Sequence, residues 1–184
     1  TAGYGTSVRL EQVLLLPVIG LNTAVISIAG QNFGAKNYDR VRETYTTSMI
    51  FGFVFMTIAG VFIYFTAHFF MSKFTDNKEV IAAGVYYLQV AAFIGPIYPT
   101  FFITSALFQA LKKPIFSLYM TIMRLTLLPF LSLYYVINIK GGEFQDIFKT
   151  ILVTNWGMGI LVLIFVTFYL RRNLNIPLRK LFFL

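Results

Sequence analysis

Two ionisable side chains sit where a membrane protein has most use for them. Glu11 lies in the segment Ser7-Val8-Arg9-Leu10-Glu11-Gln12, at or just inside the edge of a long uncharged stretch. A carboxylate in partly desolvated surroundings can exchange a proton or bind sodium, the chemistry an ion-coupled transporter requires. It can equally form an interfacial pair with Arg9, and the residues alone leave both roles open. Arg124 stands ten residues beyond Pro114 in an otherwise uncharged stretch, roughly 15 Å along a helix at 1.5 Å per residue. At that depth it must face protein or water. Ser117, Thr121 and Arg124 share a helix face at i, i+4 and i+7, so the expectation is a structural cation satisfied by carbonyls and hydroxyls, with a part in a transport pathway as the alternative. Further polar residues, Gly20, Thr23, Ser27 and Gln31, fall on one stripe of a helix, and Asn22 returns to nearly the angle of Glu11. Asn22, Thr23, Ser27 and Gln31 are therefore candidates to line a cavity, although small residues and hydroxyls also form the stripes by which membrane helices pack. His68, beside Phe69 and Phe70, reads as part of an interfacial aromatic belt. Tyr86, Tyr87, Phe93, Tyr98, Phe101 and Phe102 offer π faces to a cation, or face lipid and pack.

The elements that would hold these residues follow from composition. The chain has 184 residues, 58% hydrophobic and only 12% charged, about half the charge of an ordinary soluble domain. Stretches 12–35, 44–72, 80–111 and 150–170 carry no charged residue, and 114–139 carries only Arg124; each is at least 21 residues long. A helix needs roughly 20 apolar residues to cross the hydrocarbon core, so the reading is an all-α polytopic bundle of five spans, near 8–33, 43–71, 80–111, 115–138 and 148–170. Pro17, Pro96, Pro99 and Pro129 fall inside those spans, and proline kinks or breaks a helix by removing a hydrogen bond and displacing a carbonyl. Gly141-Gly142 reads as a tight turn before a short interfacial stretch. With no cysteine and one histidine, no disulfide framework, thiolate nucleophile or metal site is expected. No nucleophile and base pair is visible, so an enzyme is not expected, and Na⁺ or H⁺ is the only cofactor implied.

The formal charge is +8. Its basic residues stand between and after hydrophobic stretches, which points to lipid headgroups and topology, not to nucleic acid. With five spans, Lys36, Arg40, Arg42, Lys112, Lys113, Arg171, Arg172, Arg179 and Lys180 fall on one side, against Arg9, Lys73, Lys78, Lys140 and Lys149 on the other. The positive-inside rule places the first group in the cytoplasm, including residues 171–184 as a basic cytoplasmic tail of a multi-pass protein in the cell membrane. The chain opens on Thr1 with no basic segment and cleavage site of a signal peptide, and reads as part of a longer protein.

At the end of the first span, Gly30-Gln31-Asn32-Phe33-Gly34-Ala35-Lys36-Asn37-Tyr38-Asp39-Arg40 resembles the GQN-x-GA-x-N-x-x-R signature joining two helices in the multidrug and toxic compound extrusion (MATE) family. Tyr4-Gly5-Thr6-Ser7-Val8-Arg9-Leu10-Glu11 is similar to the entry to the same helix in prokaryotic members. Leu107 to Pro114 resembles a short connection usually written Gly-x-Gly-(Lys/Arg)-Pro, without both glycines, and Arg124 and Pro129 fall where the next helix commonly has an arginine and a proline. In the signature Gly34 should allow a sharp helix exit, while Asp39 and Glu43 pair with Lys36, Arg40 or Arg42. Gly30, Gln31, Asn32, Gly34, Ala35 and Arg40 thus form a hinge and anchor.

The resemblance implies the eighth to twelfth helices of a two-lobed transporter, hence most of its C-terminal lobe, with the N-terminal lobe as missing partner. It also implies antiport of organic, often cationic, amphipathic compounds against Na⁺ or H⁺. In that frame Glu11 is the ion-coupling candidate, and Arg124, Pro17 and Pro129 are structural. Two other readings stand beside it. A lipid-linked oligosaccharide flippase of the same broad superfamily would favour several cavity-facing cations, and only Arg124 lies within a span. The second is a non-transporting membrane assembly subunit.

Overall fold

A computed structural model describes residues 2–139 and 144–174. The Gly141-Gly142 turn, Lys140, Arg179 and Lys180 lie outside the described residues. Within them the chain is helical: α1 (Ala2–Gly34), α2 (Tyr38–Phe74), α3 (Lys78–Ile94), α4 (Tyr98–Ala110), α5 (Pro114–Ile122), α6 (Leu128–Tyr134) and α7 (Phe144–Leu174). Five stretches are long and apolar enough to cross a membrane: Ser7–Gly34, Tyr38–Phe74, Lys78–Ala110, Pro114–Asn138 and Asp146–Leu174. The protein is an all-α, multi-pass membrane bundle.

Two spans are broken, and prolines stand at two of the three breaks; the third, a π stretch over Tyr135–Ile139, has no proline beside it. Between α3 and α4 the backbone tightens into a 3₁₀ turn, Gly95–Ile97, with Pro96 in it and Pro99 just beyond. Proline has no N–H to continue the α pattern. In the fourth span the backbone widens into a π turn over Met123–Leu127, closed by the Leu128 N–H donating to the Met123 carbonyl. Pro129 follows at once at the start of α6. Its ring would clash with the carbonyl four residues earlier, and the wider turn relieves that clash; π-bulges of this kind are frequent at functional sites. Arg124 sits in this turn. α1, by contrast, runs through Pro17 as one helix.

The turns 35–37 and 111–113 are built alike. Lys36 N–H donates to the Phe33 carbonyl at 3.0 Å and Asn37 N–H to Asn32 at 2.8 Å; Lys112 N–H donates to Gln109 at 3.0 Å and Lys113 N–H to Phe108 at 2.9 Å. Both are Schellman ends. The left-handed residue is Lys36 (φ 58°) in one and Lys112 (φ 57°) in the other. This corrects the expectation for Gly34, which ends α1 itself; the sharp exit is made two residues later, where the six-to-one hydrogen bond demands positive φ. It also explains how the second connection closes without glycine. A lysine pays a steric penalty there, so Lys112→Gly should stabilise the bundle by about 1 kcal/mol, read as a higher midpoint in a detergent unfolding titration.

The largest buried cluster gathers Val25, Ala29, Val41, Tyr45, Phe108, Leu111 and Leu170 from four spans, with Phe33 and Leu174 packed on it. It brings both lysine turns and the end of α7 to one end of the bundle, together with Arg40, Arg42, Arg171 and Arg172. There Arg40 pairs with Glu43 at 2.7 Å, and the Lys113 ammonium lies over the Tyr169 ring at 5.4 Å. Two polar contacts lock helices inside the apolar medium: Tyr45 Oη with Thr104 Oγ1 at 2.9 Å, and Asn22 Nδ2 donating to the Phe102 carbonyl at 2.7 Å. Phe65 (79% exposed), Phe51, Phe130 and Phe168 face outward, as apolar side chains do in a lipid solvent.

Candidate functional site

Glu11, half-buried on α1, is held by two phenols from the third span. Tyr87 Oη of α3 donates to Oε2 at 2.5 Å, and Tyr98 Oη, the first residue of α4, donates to Oε1 at 2.8 Å. Each carboxylate oxygen has its own donor, and such charge-assisted bonds are the strong ones. The break at Gly95–Ile97 lies between the two tyrosines and sets how they converge on one carboxylate. Gly60 of α2 lies directly against the Ala92 carbonyl, a Cβ there falling 2.6 Å from the oxygen, so the second span supports the third at the level of the break.

Arg124 faces the same place. Its guanidinium carbon lies 4.0 Å from the centroid of Phe101 and 4.7 Å from that of Tyr98, and Nε donates to Asn155 Oδ1 of α7 at 3.4 Å. Asn155 is oriented by its own bond from Nδ2 to the Ile151 carbonyl at 2.9 Å. The hydroxyls expected to serve Arg124 turn elsewhere: Thr121 Oγ1 donates to the Ser117 carbonyl at 2.9 Å, and Ser117 bonds the Ser105 hydroxyl across to α4. Helical Ser and Thr side chains readily bond the carbonyl four residues back, which removes them from a neighbour one turn away.

Glu11, Gln12, Tyr98, Phe101, Phe102, Ser105, Thr121 and Arg124 line a cavity of about 360 Å³ between the first, third and fourth spans. It joins one anionic and one cationic side chain to three aromatic faces. A water-sized space of about 20 Å³ lies behind Glu11, walled mostly by apolar residues including Met56, Ile63 and Leu88.

The other polar candidates of α1 lie elsewhere. Asn22 ties α1 to the Phe102 carbonyl, and Thr23 Oγ1 bonds the Ile19 carbonyl at 3.2 Å. Thr23, Ser27 and Gln31 are exposed, on a face of α1 turned away from the packed helices. In the signature, a Cβ on Gly30 would lie 3.9 Å from Ala110, Asn32 Nδ2 bonds the Ile28 carbonyl, the Gln31 carbonyl receives the Ala35 N–H, and Arg40 is anchored to Glu43. His68 is exposed on α2. Two site residues had no reading as Glu11 ligands, Tyr87 and Tyr98, although their spacing of eleven residues is three helical turns. Asn155 is marked in the sequence only as a lone amide in the apolar stretch 150–170.

Comparison with known proteins agrees with this architecture. The chain is 29% identical over 182 residues to the FAD transporter of Shewanella oneidensis, covering 97% of this chain and 38% of that protein. It is 28% identical over 109 residues to the "Probable multidrug resistance protein YpnP" of Bacillus subtilis, covering 59% of this chain and 24% of that protein. The chain thus spans well under half the length of these relatives. Among solved structures, an outward-facing conformation of a multidrug resistance MATE family transporter matches with a TM-score of 0.87 at 18% identity, over 96% of this chain and 39% of that one. An inward-facing conformation of such a transporter matches with a TM-score of 0.83 at 17% identity, over 97% and 40%. At these identities the likeness is one of fold. The MatE family model matches residues 1–135, and the chain, a five-span membrane bundle, belongs to the MATE family of transporters.

Proposed function

We propose that the chain forms part of one lobe of a secondary antiporter that exports amphipathic organic compounds, cations among them, in exchange for Na⁺ or H⁺, with Glu11 as the ion-coupling group. The observation that carries this is the Glu11 carboxylate, set in the wall of the 360 Å³ cavity and held by Tyr87 and Tyr98. A carboxylate there can hold either the coupling ion or an organic cation, and competition for one charge is what exchange requires. The aromatic faces of Tyr98, Phe101 and Phe102 suit a flat or cationic cargo.

The rest of the machine is a second lobe, against which the exposed face of α1 with Thr23, Ser27 and Gln31 would turn. These five helices match an inward-facing and an outward-facing transporter fold about equally well, which supports a lobe that moves as a body. The end carrying Lys36, Arg40, Arg42, Lys112, Lys113, Arg171 and Arg172 is assigned to the cytoplasm of the cell membrane by the positive-inside rule. The test is transport in proteoliposomes of the full-length protein containing this chain: an imposed Na⁺ or H⁺ gradient should drive ethidium movement, and movement indifferent to both gradients would count against antiport.

A further inference from the structure

We propose that a groove between α2 and α7, separate from the Glu11 cavity, is a binding site for one anionic phospholipid, with Arg42 and Arg171 holding its phosphate. Both helices pack on α4, and the space left between them is about 330 Å³. Thr46 and Phe53 stand on one wall, Ile160 and Thr167 on the other, Thr100 on the floor and Trp156 at the far end. Phe53 and Ile160 are exposed whereas Thr100 is buried, so the groove opens outward, where lipid surrounds a membrane bundle. No charged side chain lines it, and the Tyr45 hydroxyl beside it is committed to Thr104.

Along the groove the residues follow the order of groups in a phospholipid. Arg42 precedes Thr46 by four residues on α2, and Arg171 follows Thr167 by four on α7, so each arginine extends its wall of the groove by one turn. One buried cluster joins Val41 and Tyr45 to Val166 and Leu170, which brings the two arginines to the same mouth. The acidic residues at that end are Asp39, one turn before Arg42, and Glu43, which is paired with Arg40; the basic residues there outnumber them. Below Thr167 the wall of α7 is apolar or glycine back to Trp156, eleven residues and about 16 Å of helix. That is half of a hydrocarbon core about 30 Å thick, the depth of one leaflet. Trp156 closes the groove there, its indole N–H fixed on the Phe93 carbonyl at 3.0 Å. An acyl chain filling the groove leaves its phosphate level with two guanidiniums, whose planar forks match phosphate, as basic pockets between membrane helices do for lipid headgroups.

The test titrates the purified, delipidated full-length protein containing this chain with phosphatidylglycerol or phosphatidylcholine of identical acyl chains, bound lipid being resolved by native mass spectrometry. The first phosphatidylglycerol should bind about 25-fold more tightly than phosphatidylcholine, about fivefold for each arginine at a membrane surface. Arg42→Gln and Arg171→Gln should each cut that preference about fivefold, and the exposed Arg171 decides the matter if the Arg42 variant does not fold. Arg172→Gln removes the same charge from the next position, about 100° around the helix, and should leave the preference intact. Ile160→Trp, at the exposed rim where the fold tolerates bulk, should expel this lipid whatever its headgroup. Equal binding of the two lipids overturns the proposal. So does an Arg172→Gln effect as large as that of Arg171→Gln, which marks diffuse attraction to the whole basic end. Lipid binding untouched by Ile160→Trp overturns it as well, the groove then being covered by another segment of the full-length protein.

Discussion

Replacing Glu11 by Gln should stop ion-coupled efflux of organic cations. Gln keeps the size of the side chain and one acceptor oxygen for a tyrosine, but it carries no charge to hold a cation and no titratable proton. Two charge-assisted bonds at 2.5 and 2.8 Å position this carboxylate, and an ion or cargo cation bound there should lose about 2–3 kcal/mol without the charge, a weakening of roughly 30- to 150-fold. Glu11→Asp should fall between, because the charge remains while one methylene less reach pulls it from at least one phenol. The check is ethidium efflux by proteoliposomes under a fixed gradient, with protein quantity matched by monodisperse yield. Unchanged efflux with unchanged ion dependence in Glu11→Gln would remove Glu11 from the coupling step.

Gly60→Val should be the most damaging single change to the fold. A Cβ at this position would lie 2.6 Å from the Ala92 oxygen and 3.4 Å from its carbonyl carbon, and backbone cannot swing aside as a side chain can. The second and third spans must then separate, at a cost of about 3 kcal/mol. Ala92 lies just before the Gly95–Ile97 turn, and Gly60, Ala92 and Tyr98 line the small space behind Glu11, so the Tyr98 donor should move with the helix. Gly157→Ala on the exposed side of α7 is the contrast: nothing lies within 4 Å of a Cβ there, and helix propensity favours alanine by about 1 kcal/mol. Folded yield and thermal midpoint in detergent should drop sharply for the first variant and hold or rise for the second.

How far the sequence carries can be seen residue by residue. Five uncharged stretches longer than the membrane is thick leave little choice of architecture, and the all-α bundle of five spans is what the structure has. The signature at residues 30–40 and the resemblance built on it point to the family to which the chain belongs. The site is less legible. Glu11 and Arg124 stand out because charge is rare in apolar stretches, but which groups meet them depends on two backbone breaks. The 3₁₀ turn at Gly95–Ile97 aims Tyr98, and the π turn at Met123–Leu127 aims Arg124. A 100° helical wheel groups Arg124 with Ser117 and Thr121, and Thr121 does share its cavity, but a wheel of one helix says nothing of Tyr98, Phe101 and Asn155, which meet Arg124 from other helices. Lys36 and Lys112 were equally hidden, since lysine gives no sign of a positive φ.

The most direct test is a binding titration of ethidium to the purified full-length protein at a series of Na⁺ concentrations and, separately, of pH values. If cargo cation and coupling ion share Glu11, the apparent Kd rises in proportion to Na⁺ or to H⁺, one ion displaced per ethidium bound, and the dependence vanishes in Glu11→Gln. An ethidium affinity that stays constant across both series in the wild type would contradict the account.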